Sequence, residues 1–474
     1  MTEGPILTTR AVGPPAAPTP ATPANAAPSQ QAPTDAYGYD VPRPQPTQIR
    51  PAPGPALAEA KRPRGAIRTW VIFGSVFGIL ALTALAVWIY AIQPYGVGTV
   101  LVAGTAALVP FLVVLAAIWW LDRYTPQPRI TLVYAFTWGA VGSIALSLAF
   151  GTVANLVISL QTDDPTAQLF LSIAVQAPIV EEATKAFGLV LLLLFGRRYI
   201  SGPIDGVIYA MLIAAGFAFT ENITYFSRAL AAAHTSGAAG EFWEVFFLRG
   251  VMSPFAHASF TALVGLGLGI AAERRSLLLY ASLGLGGLGA GMALHALWNG
   301  GSMWVGMAYP DGGSAMFYIY YLIVEVPIFL VLGAVLIGLR LRERVIVRRR
   351  LSDYGRAGWF TPAEVDMLER LRSRRTAQHW ADSYGAVAGW AMKDFQRTAL
   401  RLAAHRQAAL SGGSSTRIRA TEAELLENLT AARRTLSALT LPVVPLQVAG
   451  GAYNGRAPHA ATAPPRGAIT PHDD

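Results

Sequence analysis

The feature that most constrains this chain is a series of long apolar runs in its middle. A hydrocarbon core about 30 Å thick needs about 20 residues of helix, and about eight stretches reach that length. They lie near residues 69–92, 97–121, 131–158, 168–196, 203–224, 251–272, 276–299 and 316–340. Only 14% of the residues are charged, against roughly one quarter in soluble globular proteins. The sequence therefore predicts an all-α, polytopic membrane bundle of about eight transmembrane helices.

The placement of arginine and lysine predicts the orientation of this bundle. Every second connection between the apolar runs is basic, while the alternate ones carry little positive charge apart from Arg228 and Arg249. A basic cluster follows the eighth run, at Arg340, Arg342, Arg344, Arg348, Arg349 and Arg350. The positive-inside rule then puts both termini in the cytoplasm of a multi-pass plasma-membrane protein. The same rule explains the net charge of +9, so no nucleic acid partner is predicted.

Composition divides the rest of the chain. Residues 1–62 are rich in Pro and Ala and predict a disordered cytoplasmic tail, without the pattern of a cleaved signal peptide, so the first apolar run reads as a signal anchor. The transmembrane bundle is predicted over 63–345, a cytoplasmic helical region over 346–440 and a disordered tail over 441–474.

Turn and cap residues subdivide the predicted cytoplasmic region. Thr361 and Thr421 each have Glu three residues later, which is typical of a helix start, so two or three helices are expected between 361 and 439. Residues 411–415 predict a linker.

Glycine spacing indicates close packing in the sixth and seventh runs. Gly265 and Gly269 are four residues apart, as are Gly287 and Gly291. This spacing leaves one helix face without side chains, so that two helix backbones can approach each other. Both helices are expected inside the bundle.

The fourth run carries three ionisable residues within five positions, Glu181, Glu182 and Lys185. Each costs a few kcal/mol or more inside a bilayer and therefore needs a reason. One Glu–Lys pair is as well explained by a structural ion pair as by function. The adjacent second Glu is hard to explain in that way, because it adds a charge without a partner.

Neighbouring runs contribute more polar groups. The fifth run ends at Glu221 and Asn222, the sixth begins near His257, and the seventh ends with His295 and Asn299 on one helical face. A rise of 1.5 Å per residue puts Glu221 and His295 about 27 and 28 Å along their helices. One such His would usually be an interhelical hydrogen-bond partner. Because four neighbouring runs contribute, we expect a shared cavity in the outer half of the membrane.

Four motifs in these runs resemble those of the PrsW family of intramembrane proteases. They are EExxK at Glu181 to Lys185, FxxxEN at Phe217 to Asn222, an Arg and a His at Arg249 and His257, and HxxxN at His295 to Asn299. The resemblance covers about 130–340. The chain is more distantly similar to the superfamily of CAAX prenyl endopeptidases and bacteriocin-processing proteins, whose second motif normally has His where this chain has Glu221.

The resemblance implies an intramembrane endopeptidase. Glu181 is then the general base, Glu182 and Lys185 organise its charge, and His257 assists the attacking water. His295 and Asn299 are expected to donate to the tetrahedral oxyanion. Glu221 also belongs to the expected catalytic set, with its role open, and the supporting residues are Phe217, Asn222 and Arg249. The expected substrate is a membrane-anchored protein cleaved near the outer face, for which an anti-sigma factor is the family-based expectation.

The chemistry of the site leaves alternatives open. The chain has no cysteine, so a metal would need His and carboxylate ligands, and the candidates are His257, His295, Glu181 and Glu221. Without an HExxH motif the sequence requires no cofactor, although zinc is possible. Intramembrane Glu and His residues also line proton and cation pathways in transporters. A catalytically inactive membrane scaffold is the third reading.

Overall fold

A computed structural model of the chain describes residues 66–124, 126–196, 199–237, 240–274, 276–309, 313–412 and 416–440. The regular elements of these ranges are helices, so the predicted all-α class is confirmed there. The predicted tails at 1–62 and 441–474 lie outside the described residues, as does most of the predicted linker at 411–415.

The part of the chain with the apolar runs forms helices that we number α1 to α8. Their bounds are α1 Ala66–Asp122, α2 Arg129–Gln161, α3 165–196, α4 Pro203–Ser236, α5 Gly240–Phe246, α6 Ala256–Arg274, α7 Leu277–Ala308 and α8 313–356. Wider π-helical turns interrupt or extend several of them, at Trp138–Ser143, Leu171–Gln176, Phe247–Met252 and Tyr321–Glu325. Such turns often occur at functional sites.

Six helical stretches of the described chain are long and apolar enough to cross a membrane, which supports a multi-pass membrane protein. The first is 49 residues long and contains most of the first predicted run and all of the second. It kinks at Gly96, whose φ of 77° is readily adopted only by glycine. Helix α3 is the fourth predicted run but is not among the six, and it carries Glu181, Glu182 and Lys185. The count of eight spans therefore stays a prediction.

Helix α4 lies at the centre of the bundle, against α1, α2 and α6. It is the most buried of the six stretches, whereas α7 and α8 are mostly exposed. Close glycine contacts permit this packing, because a Cβ at Gly206 of α4 would lie 2.1 Å from the carbonyl oxygen of Gly265 in α6. A Cβ at Gly287 would meet the backbone of α6 at Leu263 in the same way. The expected close approach of helix backbones at both glycine motifs is confirmed. The expectation that both helices lie inside the bundle holds for α6 but not for α7, whose apolar segment is only 11% buried.

Four helices follow the membrane part: α9 Pro362–Glu369, α10 Leu371–Asp382, α11 Ala386–Gly412 and α12 Thr416–Thr440. The predicted helix start at Thr361 is confirmed, with its capping box formed by Glu364. The predicted start at Thr421 is wrong. No glycine or proline separates it from Thr416, and the helix begins there.

The predicted boundary at 345/346 falls inside a continuous helix, because α8 runs on to Arg356. Its residues Val347, Leu351 and Tyr354 are buried in the apolar core of α9 to α12. That core also includes Tyr124, just beyond α1, whose hydroxyl donates to the carbonyl oxygen of Glu369 at 2.7 Å. The C-terminal helices are thus attached directly to the end of a membrane helix.

Candidate active site

A cavity of about 130 Å³ opens between α1, α3, α4, α6 and α7. Its wall includes most of the predicted site residues: Glu181, Glu221, Asn222, Arg249, His257, His295 and Asn299. Small side chains such as Ala177 and Ala218 provide the space, while Phe111 and Trp298 are among the large apolar residues of the wall. Glu182, Lys185 and Phe217 lie behind it. Helices distant in sequence therefore bring the predicted residues together around one space.

Glu182 is a fully buried hydrogen-bond acceptor. Its Oε1 accepts from Lys185 Nζ at 2.7 Å and lies 3.1 Å from His295 Nδ1, while its Oε2 accepts from Thr261 Oγ1 at 2.7 Å. The side chains of Glu182 and Lys185 are both 0% exposed. Three helices are tied together at this carboxylate, and both of its oxygens already accept hydrogen bonds.

Glu181 has a contrasting environment, although it is the adjacent residue. Its Oε2 is buried and has no hydrogen-bond partner among the described residues. The same atom lies 3.6 Å from Lys185 Nζ and 3.9 Å from His295 Nε2. A buried carboxylate oxygen without a donor is costly, and a small molecule or ion between Glu181 and His295 would satisfy it.

His257 is held between two charged groups. Its Nδ1 lies 3.0 Å from Lys185 Nζ, and its Nε2 lies 2.8 Å from Glu221 Oε2. Because an ammonium can only donate, this arrangement assigns the proton of the neutral ring to Nε2. Phe217 covers both groups, with Lys185 Nζ 4.0 Å from its ring centroid. The predicted supporting role of Phe217 is therefore one of packing against the charged cluster.

Arg249 fixes the far side of this arrangement. Its Nη2 donates to Glu221 Oε2 at 2.6 Å and its Nε donates to Asn222 Oδ1 at 2.8 Å. The guanidinium also stacks on Tyr225, 3.9 Å from the ring centroid. Glu221 thus accepts from Arg249 and His257 together, which orients the imidazole.

His295 and Asn299 differ in how they face the cavity. The His295 ring stacks on Phe260 with centroids 5.0 Å apart, and its Nε2 is directed toward Glu181. Asn299 lines the same cavity, but its Nδ2 donates to the carbonyl oxygen of Ile173 at 3.0 Å. Ile173 lies in the π-helical turn of α3. Asn299 would have to exchange that bond before donating to an oxyanion.

Several supporting residues were missed by the sequence reasoning. Thr261 lies one helical turn after His257 on the same helix face. A polar residue four positions after a candidate site histidine could therefore have identified it from the sequence. Thr184 is buried and contacts Ser143 and Ser147 of α2, both at 2.9 Å. Trp138 Nε1 donates to the carbonyl oxygen of Thr184 at 3.1 Å. These contacts fix α3, which carries the two glutamates, against α2.

Three of the residues form a group that could hold a metal ion. One ligand atom from each of Glu181, His257 and His295 lies within 4.8 Å of the others. Two imidazoles and a carboxylate suit Zn²⁺, and Glu182 accepting at His295 Nδ1 is the usual outer support of a metal-bound His. The unpartnered oxygen of Glu181 faces this group. The residues therefore fit a divalent metal, although His257 would have to give up its contact with Lys185 or with Glu221 in order to bind it. Glu221, the fourth predicted ligand, pairs with Arg249 and His257 instead.

Comparison with known proteins agrees with the motifs. Residues 127–332 match the sequence model of the family described as "PrsW family intramembrane metalloprotease". The resemblance to the PrsW family is confirmed. We call residues 127–332 the PrsW-like core. It contains all of the predicted catalytic and supporting residues.

A curated relative supports the same assignment. The "Protease PrsW" of Clostridioides difficile (strain 630) is 31% identical over 162 residues, which are 34% of this chain and 61% of that protein. The chain therefore spans about three fifths of the length of this relative. No solved structure matches.

Proposed function

We propose that this chain is an intramembrane endopeptidase that cleaves membrane-anchored proteins. The observation that carries the proposal is Glu181 Oε2, which is buried without a hydrogen-bond partner in the described chain and faces His295 across a cavity. A cavity of about 130 Å³ has room for water. The matched family description and the relative's name support the same reaction class.

In the hydrolytic step, Glu181 takes a proton from the attacking water. The new bond joins the water oxygen to the scissile carbonyl carbon. The same carboxyl group then passes the proton to the peptide nitrogen, and the bond between that nitrogen and the carbonyl carbon breaks to release the amine. Lys185 stabilises the carboxylate from 3.6 Å. Glu182 cannot replace Glu181, because both of its oxygens already accept hydrogen bonds.

His295 and Asn299 provide donors for the oxyanion of the tetrahedral intermediate. His295 Nε2 is directed toward Glu181. Because Nδ1 donates to Glu182, Nε2 can donate to the oxyanion only when the ring is an imidazolium with a proton on both nitrogens. Asn299 can donate to the oxyanion only after its amide gives up the hydrogen bond to the carbonyl oxygen of Ile173. Arg249 and Glu221 act through His257, whose ring they orient.

A metal would use the same residues. Held by Glu181, His257 and His295, a divalent ion would supply Lewis-acid activation of the carbonyl and of water. Lys185 Nζ lies 3.0 Å from His257 Nδ1, and repulsion between an ammonium and a bound cation opposes binding there. The two histidines and the carboxylate therefore favour a metal-dependent mechanism, whereas the positive charge of Lys185 favours catalysis by Glu181 without a metal.

Metal content separates the two mechanisms. For the metal-dependent mechanism we expect about one Zn²⁺ per purified chain, a lower content in His295→Ala, and loss of cleavage on chelation that added Zn²⁺ restores. Full activity in metal-free protein would leave Glu181 as the only activator of water. The metal assay requires no substrate, so it gives an answer even if the physiological substrate is unknown.

The proposed substrate is a single-span or membrane-proximal protein, for which an anti-sigma factor is the family-based candidate. Cleavage near the outer face follows from the proposed eight-span topology, with both termini in the cytoplasm of a plasma-membrane protein. A scissile bond mapped to the cytoplasmic side of a defined substrate would show that this orientation is wrong.

Ion-coupled transport is the second candidate, because of one observation. Glu325 of α8 is 0% exposed, and neither of its carboxylate oxygens has a hydrogen-bond partner in the described chain. Buried intramembrane carboxylates occur in proton pathways. Glu325 does not line the cavity of Glu181, so a continuous pathway would need a further conformation. A proton flux abolished by both Glu181→Gln and Glu325→Gln would favour transport.

A further inference from the structure

A second cavity lies where α8 leaves the bundle, beside the end of α9. We call it the arginine groove. It measures about 570 Å³ and is lined by Leu341, Arg344, Val345, Arg348, Arg349, Arg350, Ser352, Asp353, Arg356 and Glu369. Five arginines and two carboxylates leave three positive charges in excess. The positive-inside rule accounts for basic residues here, but it does not require them to line one groove.

Internal ion pairs use only part of this charge. Glu369 lies 2.8 Å from Arg344 and 3.5 Å from Arg348. Asp353 pairs with Arg350 at 3.0 Å and with Arg356 at 2.6 Å. Arg349 is exposed and makes no ion pair within the described ranges, and Arg350 Nε is buried without a hydrogen-bond partner there. The groove therefore offers guanidinium N–H groups that could donate hydrogen bonds to a bound anion.

Two contacts fix the groove at the membrane end of α1. The guanidinium of Arg340 stacks on Trp120, 4.3 Å from the ring centroid. The hydroxyl of Tyr124 donates to the backbone of Glu369 at 2.7 Å. Apolar helix α1 ends at Asp122, between these two anchors. The groove thus begins where the apolar part of α1 ends.

The face of α8 that leads into the groove changes from apolar to basic. Leu330, Ile337, Leu341, Arg344 and Arg348 are separated by seven, four, three and four residues, which places them on one helical face. The three apolar side chains are 69%, 53% and 57% exposed. Arg344 lies about 10 Å beyond Ile337 along the helix. Exposed aliphatic side chains followed by arginines match the order of acyl chain and headgroup in a phospholipid.

We propose that the arginine groove binds the phosphate of an anionic phospholipid, whose acyl chains lie along the exposed side chains of Leu330, Ile337 and Leu341 on α8. Guanidinium groups bind phosphate through paired hydrogen bonds. Basic clusters immediately beyond a membrane helix attract anionic headgroups. The bound lipid would contact α8 and the end of α9, and thus join the membrane bundle to the C-terminal helices.

The test uses the full chain in a neutral detergent and native mass spectrometry. Phosphatidylglycerol and phosphatidylcholine with identical acyl chains are titrated separately, together with free glycerol phosphate. Arg349→Glu is the test variant, since this side chain is exposed and supports no internal pair in the described chain. Arg375→Glu is the matched control, because it makes the same charge change on an exposed part of α10 outside the groove.

We expect phosphatidylglycerol to bind at least tenfold more tightly than phosphatidylcholine, and Arg349→Glu to weaken only that binding, by about fivefold to tenfold. Equal binding of the two lipids would overturn the proposal. So would an equal loss in Arg375→Glu, because net charge would then explain it. Free glycerol phosphate binding as tightly as the lipid would assign the groove to a soluble phosphate and would also overturn the proposal.

Discussion

At the scale of single residues, the position of Lys185 distinguishes two adjacent glutamates. Its Nζ lies 2.7 Å from Glu182 Oε1 and 3.6 Å from Glu181 Oε2. Glu182 is therefore the hydrogen-bonded partner of the buried ammonium, whereas Glu181 remains available to water or a metal. One carboxylate is suited to holding the site together and the other to chemistry.

Glu182→Gln should destabilise the fold, unlike the same change at Glu181. The amide removes the charge that pairs with an ammonium buried at 0% exposure. Breaking a buried ion pair in this way costs about 3 kcal/mol or more. We expect a Tm in detergent that is lower by about 5 °C or more, with a Tm close to wild type for Glu181→Gln. Equal Tm values for the two variants would contradict the assigned roles.

The importance of the two adjacent glutamates could be predicted from the sequence, but the different roles of Glu181 and Glu182 could not. The charges at 181, 182 and 185 are conspicuous within an apolar run, and their motif carries the resemblance to the PrsW family. Which glutamate faces the cavity depends on the rotation of α3, and Thr261 of α6 fixes that rotation by bonding Glu182 at 2.7 Å. Such a contact between distant helices has no signature in local spacing.

At the scale of helices, glycine contacts between α4 and α6 determine how closely the two helices that carry Glu221 and His257 approach each other. The side chains of these two residues meet at 2.8 Å. Gly265 leaves room for the backbone of Gly206, since a Cβ on Gly265 would lie 2.3 Å from its carbonyl oxygen. The spacing of four residues predicted that another helix backbone approaches this face of α6, but it did not identify α4 as the partner.

Gly265→Val should separate the two helices. Its side chain would overlap the backbone of α4, which cannot rotate away as a side chain can. We expect a loss of about 3 kcal/mol or more, together with reduced activity, measured as thermal unfolding and cleavage. Gly286→Val on α7 is the control, because a Cβ there has no neighbour within 4 Å. Equal effects of the two substitutions would refute the close contact.

The π-helical turns are helix features that the sequence did not predict. The turn at Leu171–Gln176 contains Ile173, whose carbonyl oxygen accepts from Asn299, and the turn at Phe247–Met252 contains Arg249. One extra residue per turn does not alter the apolar pattern of a membrane helix, so composition gives no signal. These turns nevertheless position two of the polar residues that line the cavity.

At the scale of the whole molecule, apolar length and charge predicted a helical membrane protein but not all of its boundaries. The kink at Gly96 falls between the first two predicted spans and agrees with their division, whereas α8 continues past the predicted boundary at 345/346 to Arg356. Helix continuity across the interface depends on packing against distant residues such as Tyr124. Amino-acid composition changes sharply at a membrane surface, whereas a helix can continue across it without a break in the backbone.

The eight-span topology predicts an alternating location for reporter fusions. Each basic connection should stay in the cytoplasm and each weakly charged one should be outside, because of the positive-inside rule. Reporters are placed after Arg129, Asp164, Arg198, Ser236, Arg275 and Asp311. They should read in, out, in, out, in and out. Two adjacent fusions on the same side would exclude eight spans.

The proposed role of Glu181 is to transfer the proton during peptide hydrolysis inside the membrane. The most direct measurement compares wild type and Glu181→Gln, reconstituted with a single-span protein substrate, by the rate at which the substrate is cleaved. Because an amide cannot accept the proton of water, cleavage should fall by about 10²-fold or more while the Tm is retained. Cleavage at the wild-type rate by the folded Gln variant would contradict the account.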